Sequence, residues 1–262
     1  MRRRPEYVCG AHSVLAALER GPERVRRLLI AEGRRGRRTS EAVRLAESRG
    51  VPVETLDPGG LTKKAATAQH QNLLAEVSPT PLLPLDDLIE AQSAEAPPIL
   101  LLDGVQDPRN FGAILRSAAA LGAGGVVWPK DNAVGLTPVA AKAAAGALEV
   151  VPLARVTNLA RAVSALKEAG YWALAADAHG DKTLDVDELP RPCCLVIGAE
   201  GRGVRPLVLR NCDARVRIPI EEGVVSSLNA SVAAAILLHG LRGTRKTGED
   251  GAQAEDSSSR AP

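Results

Sequence analysis

Three short stretches of this chain carry side chains able to do chemistry, at places where packing alone gives them little use. The first is Asp103-Gly-Val-Gln-Asp-Pro-Arg-Asn110, running into Phe111-Gly-Ala-Ile-Leu-Arg116. Arg116 is the only charge between Phe111 and Pro129, in an Ala/Leu-rich helical pattern. A guanidinium there is costly unless it snorkels, pairs with an acid elsewhere or meets an anion. It follows Asn110 by six residues, about 120° around a helix axis. Asn110, with Pro108 just ahead, is placed to cap that helix. The second stretch is Leu195-Val-Ile-Gly198-Ala-Glu200-Gly201-Arg-Gly203-Val. Its glycines follow a buried strand and let backbone approach a ligand, with the Glu200 carboxylate held among them. The third is Arg217–Gly240, an apolar strand ending at Ile218-Pro219, a turn through Glu221-Glu222-Gly223, and a helix opening at Ser226 or Ser227. Serine caps well, and Asn229, mediocre inside a helix, can use its amide near the start to hold a ligand or a loop. By spacing alone this last stretch reads first as an ordinary buried C-terminal helix, and only the rest of the chain shifts that balance.

Other chemistries fit less well. A dinucleotide fingerprint belongs to the first βα turn with an acid ending the next strand; here the glycines follow the fifth strand and the second ends Trp128-Pro129-Lys130. No phosphate-binding P-loop is present. Cys9, Cys193, Cys194 and Cys212 form no C-x-x-C pair, which favours buried thiols in a reducing compartment over a disulfide or a metal site. His70, in His70-Gln71-Asn72, has no partner at ligand spacing, leaving it a structural residue or a polar RNA contact. No run reaches the roughly 20 apolar residues of a membrane span, and Met-Arg-Arg-Arg-Pro lacks the apolar segment of a signal peptide. A cytoplasmic protein is expected.

Charge separates the two ends of the chain. Residues 1–80 hold 15 Lys/Arg against 9 Asp/Glu, whereas the remainder holds 18 against 22. A basic front on a near-neutral body suits an anionic partner such as nucleic acid. Arg34, Arg35, Arg37 and Arg38, interleaved with glycines, form either a phosphate clamp or a solvated loop.

The elements that must position these residues divide likewise. Tyr7–Pro79 reads as a small α/β domain, with helices around Val14–Leu18 and over Glu41–Arg49 and strands at Val25–Ile30 and Val51–Glu54. Ser78–Pro84 is a proline-stiffened linker leading through an amphipathic piece, Leu85–Gln92, to Pro98. Beyond it strands are predicted at Ile99–Leu102, Gly125–Trp128, Glu149–Leu153, Tyr171–Ala176, Cys193–Ile197 and Ala214–Ile218. Helices are predicted at Phe111–Leu121, Pro138–Ala145, Leu159–Ala169, Val204–Leu209 and Leu228–Leu241. Such alternation makes a mostly parallel sheet covered on both faces, which binds ligands beyond the strand carboxyl ends. With only 2% aromatic residues, Ala, Val and Leu must do the packing. The polar stretch 244–262 has no periodicity and reads as a disordered tail. The division is thus 1–79, a linker over 80–98, 99–243, and the tail.

Taken together, Asn110…Arg116, Gly198-x-Glu200-Gly201 and Ile218-Pro219…Ser227-Leu228-Asn229 resemble the three motifs of the SpoU (TrmH) family of RNA ribose 2'-O-methyltransferases. Tyr7-Val8-Cys9-Gly10-Ala11-His12-Ser13-Val14 and His70-Gln71 resemble the L30e-like substrate-binding domain that precedes the catalytic one in the bacterial 23S rRNA guanosine-2'-O-methyltransferase branch. The resemblance implies an α/β fold of SPOUT type, a parallel sheet with a C-terminal trefoil knot behind a small L30e-like domain. It implies S-adenosylmethionine as cofactor, no metal, and a homodimer. It places Gly198, Glu200, Gly201, Ile218, Leu228 and Asn229 at the cofactor and Asn110, Arg116, Glu200, Ser227 and Asn229 in the catalytic set. Charge places Arg34, Arg35, Arg37 and Arg38 facing RNA, and His70 is the polar contact expected beside them. Methylation of tRNA, a resistance-type rRNA methylation, and a non-catalytic role in ribosome assembly are the alternatives.

Overall fold

The computed structural model describes residues 6–33, 36–65, 67, 70–92, 96–180, 182–183, 192–221, 225 and 227–242. Arg34, Arg35, Ser226, most of the Glu221-Glu222-Gly223 turn and the 244–262 stretch lie outside the described residues. The chain runs β1 (Glu6–Cys9), α1 (Ala11–Arg20), β2 (Val25–Ala31), α2 (Arg37–Ser48), β3 (Val53–Leu56), α3 (Pro58–Ala65) and β4 (Leu73–Val77). These strands form one sheet in the order β1-β4-β2-β3, antiparallel except for the β2–β3 pair. Side chains alternate along β2: Leu28 and Ile30 pack under α1 and α2 with Val14, Leu18 and Val43, whereas Leu29 and Ala31 meet Leu61 of α3 on the other face.

The second part follows as α4 (Leu85–Glu90), β5 (Ile99–Asp103), α5 (Pro108–Leu121), β6 (Gly125–Pro129), α6 (Pro138–Ala144), β7 (Leu153–Val156), α7 (Leu159–Glu168) and β8 (Trp172–Ala176). It continues with β9 (Lys182–Thr183), β10 (Cys193–Gly198), α8 (Pro206–Leu209), β11 (Ala214–Arg217) and α9 (Ala230–Arg242). Its strands order as β7-β6-β5-β10-β8-β11-β9, every pair parallel. Apolar residues at successive positions face both ways, as a doubly covered sheet requires. Leu100, Leu102, Trp128, Leu195 and Ile197 meet α5, α6 and α9. Ile99, Leu101, Val127, Cys194 and Val196 meet α4, α7 and α8. Phe111 sets its ring edge against Trp128, centroids 5.3 Å apart, fixing the start of α5 over β6.

Several boundaries differ from expectation for identifiable reasons. Helix α5 starts three residues early because Asp107 caps it, accepting from the Arg109 amide at 2.8 Å, with Pro108 in the first turn. This frees the Asn110 side chain for other work. Helix α2 begins at Arg37 rather than Glu41, with Gly36 ahead of it and no side-chain cap. The predicted strand over Glu149–Leu153 is a 3₁₀ turn over Ala147–Glu149, and pairing starts only at Leu153, after Pro152. Strands β1 and β4 and helix α3 had no distinct sequence signal.

The two parts touch through α1 and the end of α6. Gly146 has φ +91°, and a Cβ there would lie 2.4 Å from the Ala16 Cβ. Beside it, Arg24 reaches across to Glu149 at 2.5 Å and also donates to the Ser78 carbonyl and Thr80 hydroxyl. Burial pushes the Glu149 carboxyl above its usual range even though the Arg24 guanidinium opposes the shift. Arg24 without Glu149 keeps two other acceptors, whereas Glu149 without Arg24 has no counter-charge among the described residues. Arg24→Ala is therefore expected to cost more, about 3–5 kcal/mol, than Glu149→Gln, in thermal unfolding. Because the folded pKa is raised, the stability linked to Glu149 is present below the ordinary glutamate range and declines as pH rises through the raised value. The Tm of wild type relative to Glu149→Gln should accordingly fall over that interval.

Candidate functional site

Beyond the carboxyl ends of β8, β10 and β11 lies a cavity of about 500 Å³. Its walls include Gly198–Val204 after β10, Ile218 and Ile220 after β11, Asp177 after β8, and Ser227 and Leu228 ahead of α9. The loop after β10 is pressed tightly on itself. Ala199 and Gly203 exchange both backbone hydrogen bonds, at 3.1 and 2.9 Å. A Cβ on Gly198 would sit 2.1 Å from the Gly203 carbonyl carbon and 2.3 Å from the Val204 nitrogen, so only glycine fits. Gly201 and Gly203 lie at φ +73° and +65°, the left-handed region that favours glycine.

One carboxylate oxygen organises the polar side of this site. Glu200 Oε1 accepts from Asn110 Nδ2 at 2.7 Å and from Asn229 Nδ2 at 2.6 Å. Asn229 Nδ2 spends its second hydrogen on Asn110 Oδ1 at 3.1 Å. The Asn229 side-chain oxygen accepts from the Ser231 amide at 2.9 Å and the Val232 amide at 3.4 Å, the role of an N-cap. The cap of α9 is thus Asn229 and not Ser227, Ser226 lying outside the described residues, and one side chain both starts the helix and closes the triangle.

The structure therefore brings Asn110, Glu200 and Asn229 into mutual contact, and Gly198, Glu200, Gly201, Ile218, Ser227 and Leu228 around the cavity. Arg116 is exposed on α5, with no carboxylate partner among the described residues. Among the described residues, no acid pairs with it in the way the alternative of an ion-paired surface arginine requires. Arg37 and Arg38 are exposed in the first turn of α2, and Arg38 Nη1 lies 3.0 Å from His12 Nε2.

His70 requires correction. It is 4% exposed, its Nδ1 accepts from the Asn72 amide and its Nε2 meets Thr62 Oγ1. The ring is spent on holding a turn in which Gln71 and Asn72 take φ of +54° and +58°. Gln71 Oε1 in turn accepts from the Ala11 amide at the start of α1. His70 is therefore a structural residue of this turn and not a surface contact, while Gln71 and Asn72 remain exposed.

Sequence reasoning missed Asp177, His179 and Ile220 on the cavity wall. Their only signal was position, just beyond strand ends of a parallel sheet. Among the described residues no three His, Cys, Asp or Glu are grouped to hold a metal ion. Burial raises the thiol of Cys194 and lifts that of Cys212 to about 11, so these thiols stay protonated at neutral pH. No helix among the described residues is long and apolar enough to cross a membrane.

A parallel sheet with a glycine-bounded cavity and an amide–carboxylate triangle at its strand ends defines a ligand-binding α/β domain. Comparison with known proteins makes this specific. Residues 97–239 match the SpoU rRNA Methylase family, and residues 7–82 match the family described as RNA 2'-O ribose methyltransferase substrate binding. The chain is 41% identical over 237 residues to the 23S rRNA (guanosine-2'-O-)-methyltransferase RlmB of Shewanella oneidensis, covering 90% of this chain and 96% of that one. It is 42% identical over 234 residues to the protein of the same name from Escherichia coli K12, covering 89% and 96%. Among solved structures, it is similar to the SpoU methyltransferase AviRb from Streptomyces viridochromogenes in complex with the cofactor AdoMet. That similarity has a TM-score of 0.73 at 27% identity over 91% of this chain and 89% of the other. The chain belongs to the SpoU rRNA methylase family.

Two substitutions probe this geometry through stability. Gly198→Ala meets backbone that cannot give way, and a loss of several kcal/mol in denaturant unfolding, on the order of 3 or more, is expected. Asn229→Ser keeps a capping oxygen and loses the bridge to Glu200. Its stability should stay within about 1 kcal/mol of wild type, whereas Asn229→Ala should lose roughly 1–2 kcal/mol.

Proposed function

We propose that this protein transfers a methyl group from S-adenosylmethionine to the ribose 2'-hydroxyl of a guanosine in 23S rRNA. Relatives carrying that name align over nearly their whole length, which supports 23S rRNA over tRNA and over a non-catalytic assembly role. The cavity fits such a cofactor. Its volume, about 500 Å³, lies in the range of small-molecule sites, and its walls combine apolar surface with glycine backbone. Ile218, Ile220 and Leu228 would flank a flat base, while the Gly198–Gly203 loop offers main-chain groups without side-chain obstruction. When bound, S-adenosylmethionine supplies a methyl group already attached to a good leaving group.

What remains for the protein is alignment and the handling of one proton. The single observation that carries the reading is Arg116, an exposed guanidinium without an acid partner among the described residues, on the same helix as Asn110 of the triangle. A guanidinium is a permanent cation that only donates hydrogen bonds, so its fitting role is to bind the neighbouring phosphate and stabilise the developing alkoxide as the hydroxyl passes its proton to solvent water. Asn110, Glu200 and Asn229 hold α5, the glycine loop and α9 in register. Ser227, on the cavity wall, would offer its hydroxyl to the ribose.

The reading includes a homodimer, cytoplasmic location beside the ribosome, and a knotted path through the tight loop after β10. Val232 and Ile236, one turn apart on α9, are 46% and 42% exposed, an apolar stripe suited to a second copy. The basic front, with Arg34, Arg35, Arg37 and Arg38, would grip RNA phosphates.

Radiolabelled transfer to 23S rRNA tests this. Arg116→Ala should bind cofactor as wild type does and lose transfer by roughly 10²–10³-fold. Arg116→Lys should also fail, since an ammonium cannot make the bidentate contact. Transfer within a few-fold of wild type by Arg116→Ala would remove Arg116 from the chemistry. Replacing the four front arginines with Ala should flatten the salt dependence of RNA binding, by roughly 0.7–0.9 of log–log slope per lost phosphate contact. An unchanged slope would return them to a solvated loop.

A further inference from the structure

Behind the glycine loop stands a charged pair that no step above uses. Asp103, the last residue of β5, has a side chain with no solvent exposure. A fully buried carboxylate is costly unless its oxygens are well satisfied. Among the described residues, every side-chain hydrogen bond and ion pair of Asp103 is made with one residue, Arg205. The Arg205 amide donates to Oδ2 at 2.7 Å, while Nε and Nη2 donate to Oδ1 at 2.7 and 2.6 Å.

The placement of these bonds matters more than their number. Asp103 sits in register with Gly198, where the cavity loop leaves β10. Arg205 immediately follows Val204, where that loop ends. Neither residue lines the cavity itself. Both ends of the loop bearing Glu200 are thereby tied to one strand terminus, the exit by β-sheet pairing and the return by the Arg205 clamp. Buried pairs add little net stability, because desolvation offsets their attraction, but they fix geometry.

We infer that Asp103 and Arg205 are positioning residues that set the loop after β10 for cofactor and aim Glu200 at Asn110 and Asn229. This rests on the reading that the cavity takes S-adenosylmethionine. Asparagine cannot replace Asp103: it offers one oxygen and one NH₂, so one of the donors from Arg205 must face another donor. Lysine at 205 leaves the main-chain bond and supplies a point charge in place of the two-nitrogen contact.

The test uses full-length wild type, Asp103→Asn, Arg205→Ala and Arg205→Lys. Calorimetry with S-adenosylmethionine, steady-state transfer to 23S rRNA, and amide hydrogen exchange of the free protein are the measurements. Asp103→Asn and Arg205→Ala should raise KM for S-adenosylmethionine and lower kcat, together by on the order of 10²-fold, with KM for RNA unchanged. Arg205→Lys should recover part of the loss. In the free protein, exchange should quicken at residues 199–205 and not across β5 or β10. Unchanged cofactor affinity and kcat in the variants, with wild type binding normally, overturn the inference alone. A fall in thermal stability with KM and kcat unchanged assigns a purely structural role and overturns it too. A wild-type protein that does not bind S-adenosylmethionine overturns the reading beneath it and the inference together.

Discussion

A single carboxylate oxygen, Oε1 of Glu200, joins three pieces of chain that lie far apart in sequence. Asn110 reaches it from the first turn of α5 and Asn229 from the start of α9, 90 and 29 residues away. The distances of 2.7 and 2.6 Å are those of charge-assisted hydrogen bonds. The triangle exists only because the loop carrying Glu200 is confined, by the absence of a side chain at Gly198 and by the Ala199–Gly203 bonds. Asn229 cannot move without uncapping α9, which packs Leu237 and Leu238 into the same core as Phe111 and Ile114 of α5. Polar geometry and hydrophobic packing thus hold one another in place.

The alternation of strands and helices was legible because a parallel sheet buried on both faces writes itself as continuous apolar runs. Ile99–Leu102 and Cys193–Ile197 needed no periodicity to be found. Helix starts were less legible, and the reason is chemical. Asp107 and Asn110 are both competent caps beside Pro108, as are Ser227 and Asn229 ahead of α9, and sequence does not rank them. The structure gives each cap to the residue whose oxygen reaches the free amides, leaving Asn110 for Glu200 and making Asn229 serve twice. The front was read more poorly. Its strands are short, and β4 emerges from a turn in which Gln71 and Asn72 adopt φ values that mark glycine elsewhere. His70, without a partner at ligand spacing in sequence, becomes intelligible only once Thr62 and the Asn72 amide are seen around it. The clamp between Asp103 and Arg205 joins residues 102 positions apart and has no local signature.

The two parts of the chain are held together by small residues and one buried pair. Gly146 against Ala16 gives close approach, and the Arg24–Glu149 contact gives direction. A front of net positive charge docked against α6 would present its basic surface at a fixed angle to the glycine loop. Recognition of RNA and chemistry on it would then be coupled by geometry and not by a flexible tether. Under this reading the basic surface selects the RNA and the triangle with Arg116 selects the atom.

That assignment of the atom is the central claim, and nucleoside analysis measures it most directly. Unmethylated 23S rRNA would be incubated with the purified protein and S-adenosylmethionine, digested to nucleosides and examined by mass spectrometry. A single new product, guanosine carrying its methyl on the ribose, is the expected result. A methyl on a base, or no methylated nucleoside with cofactor bound, would contradict it.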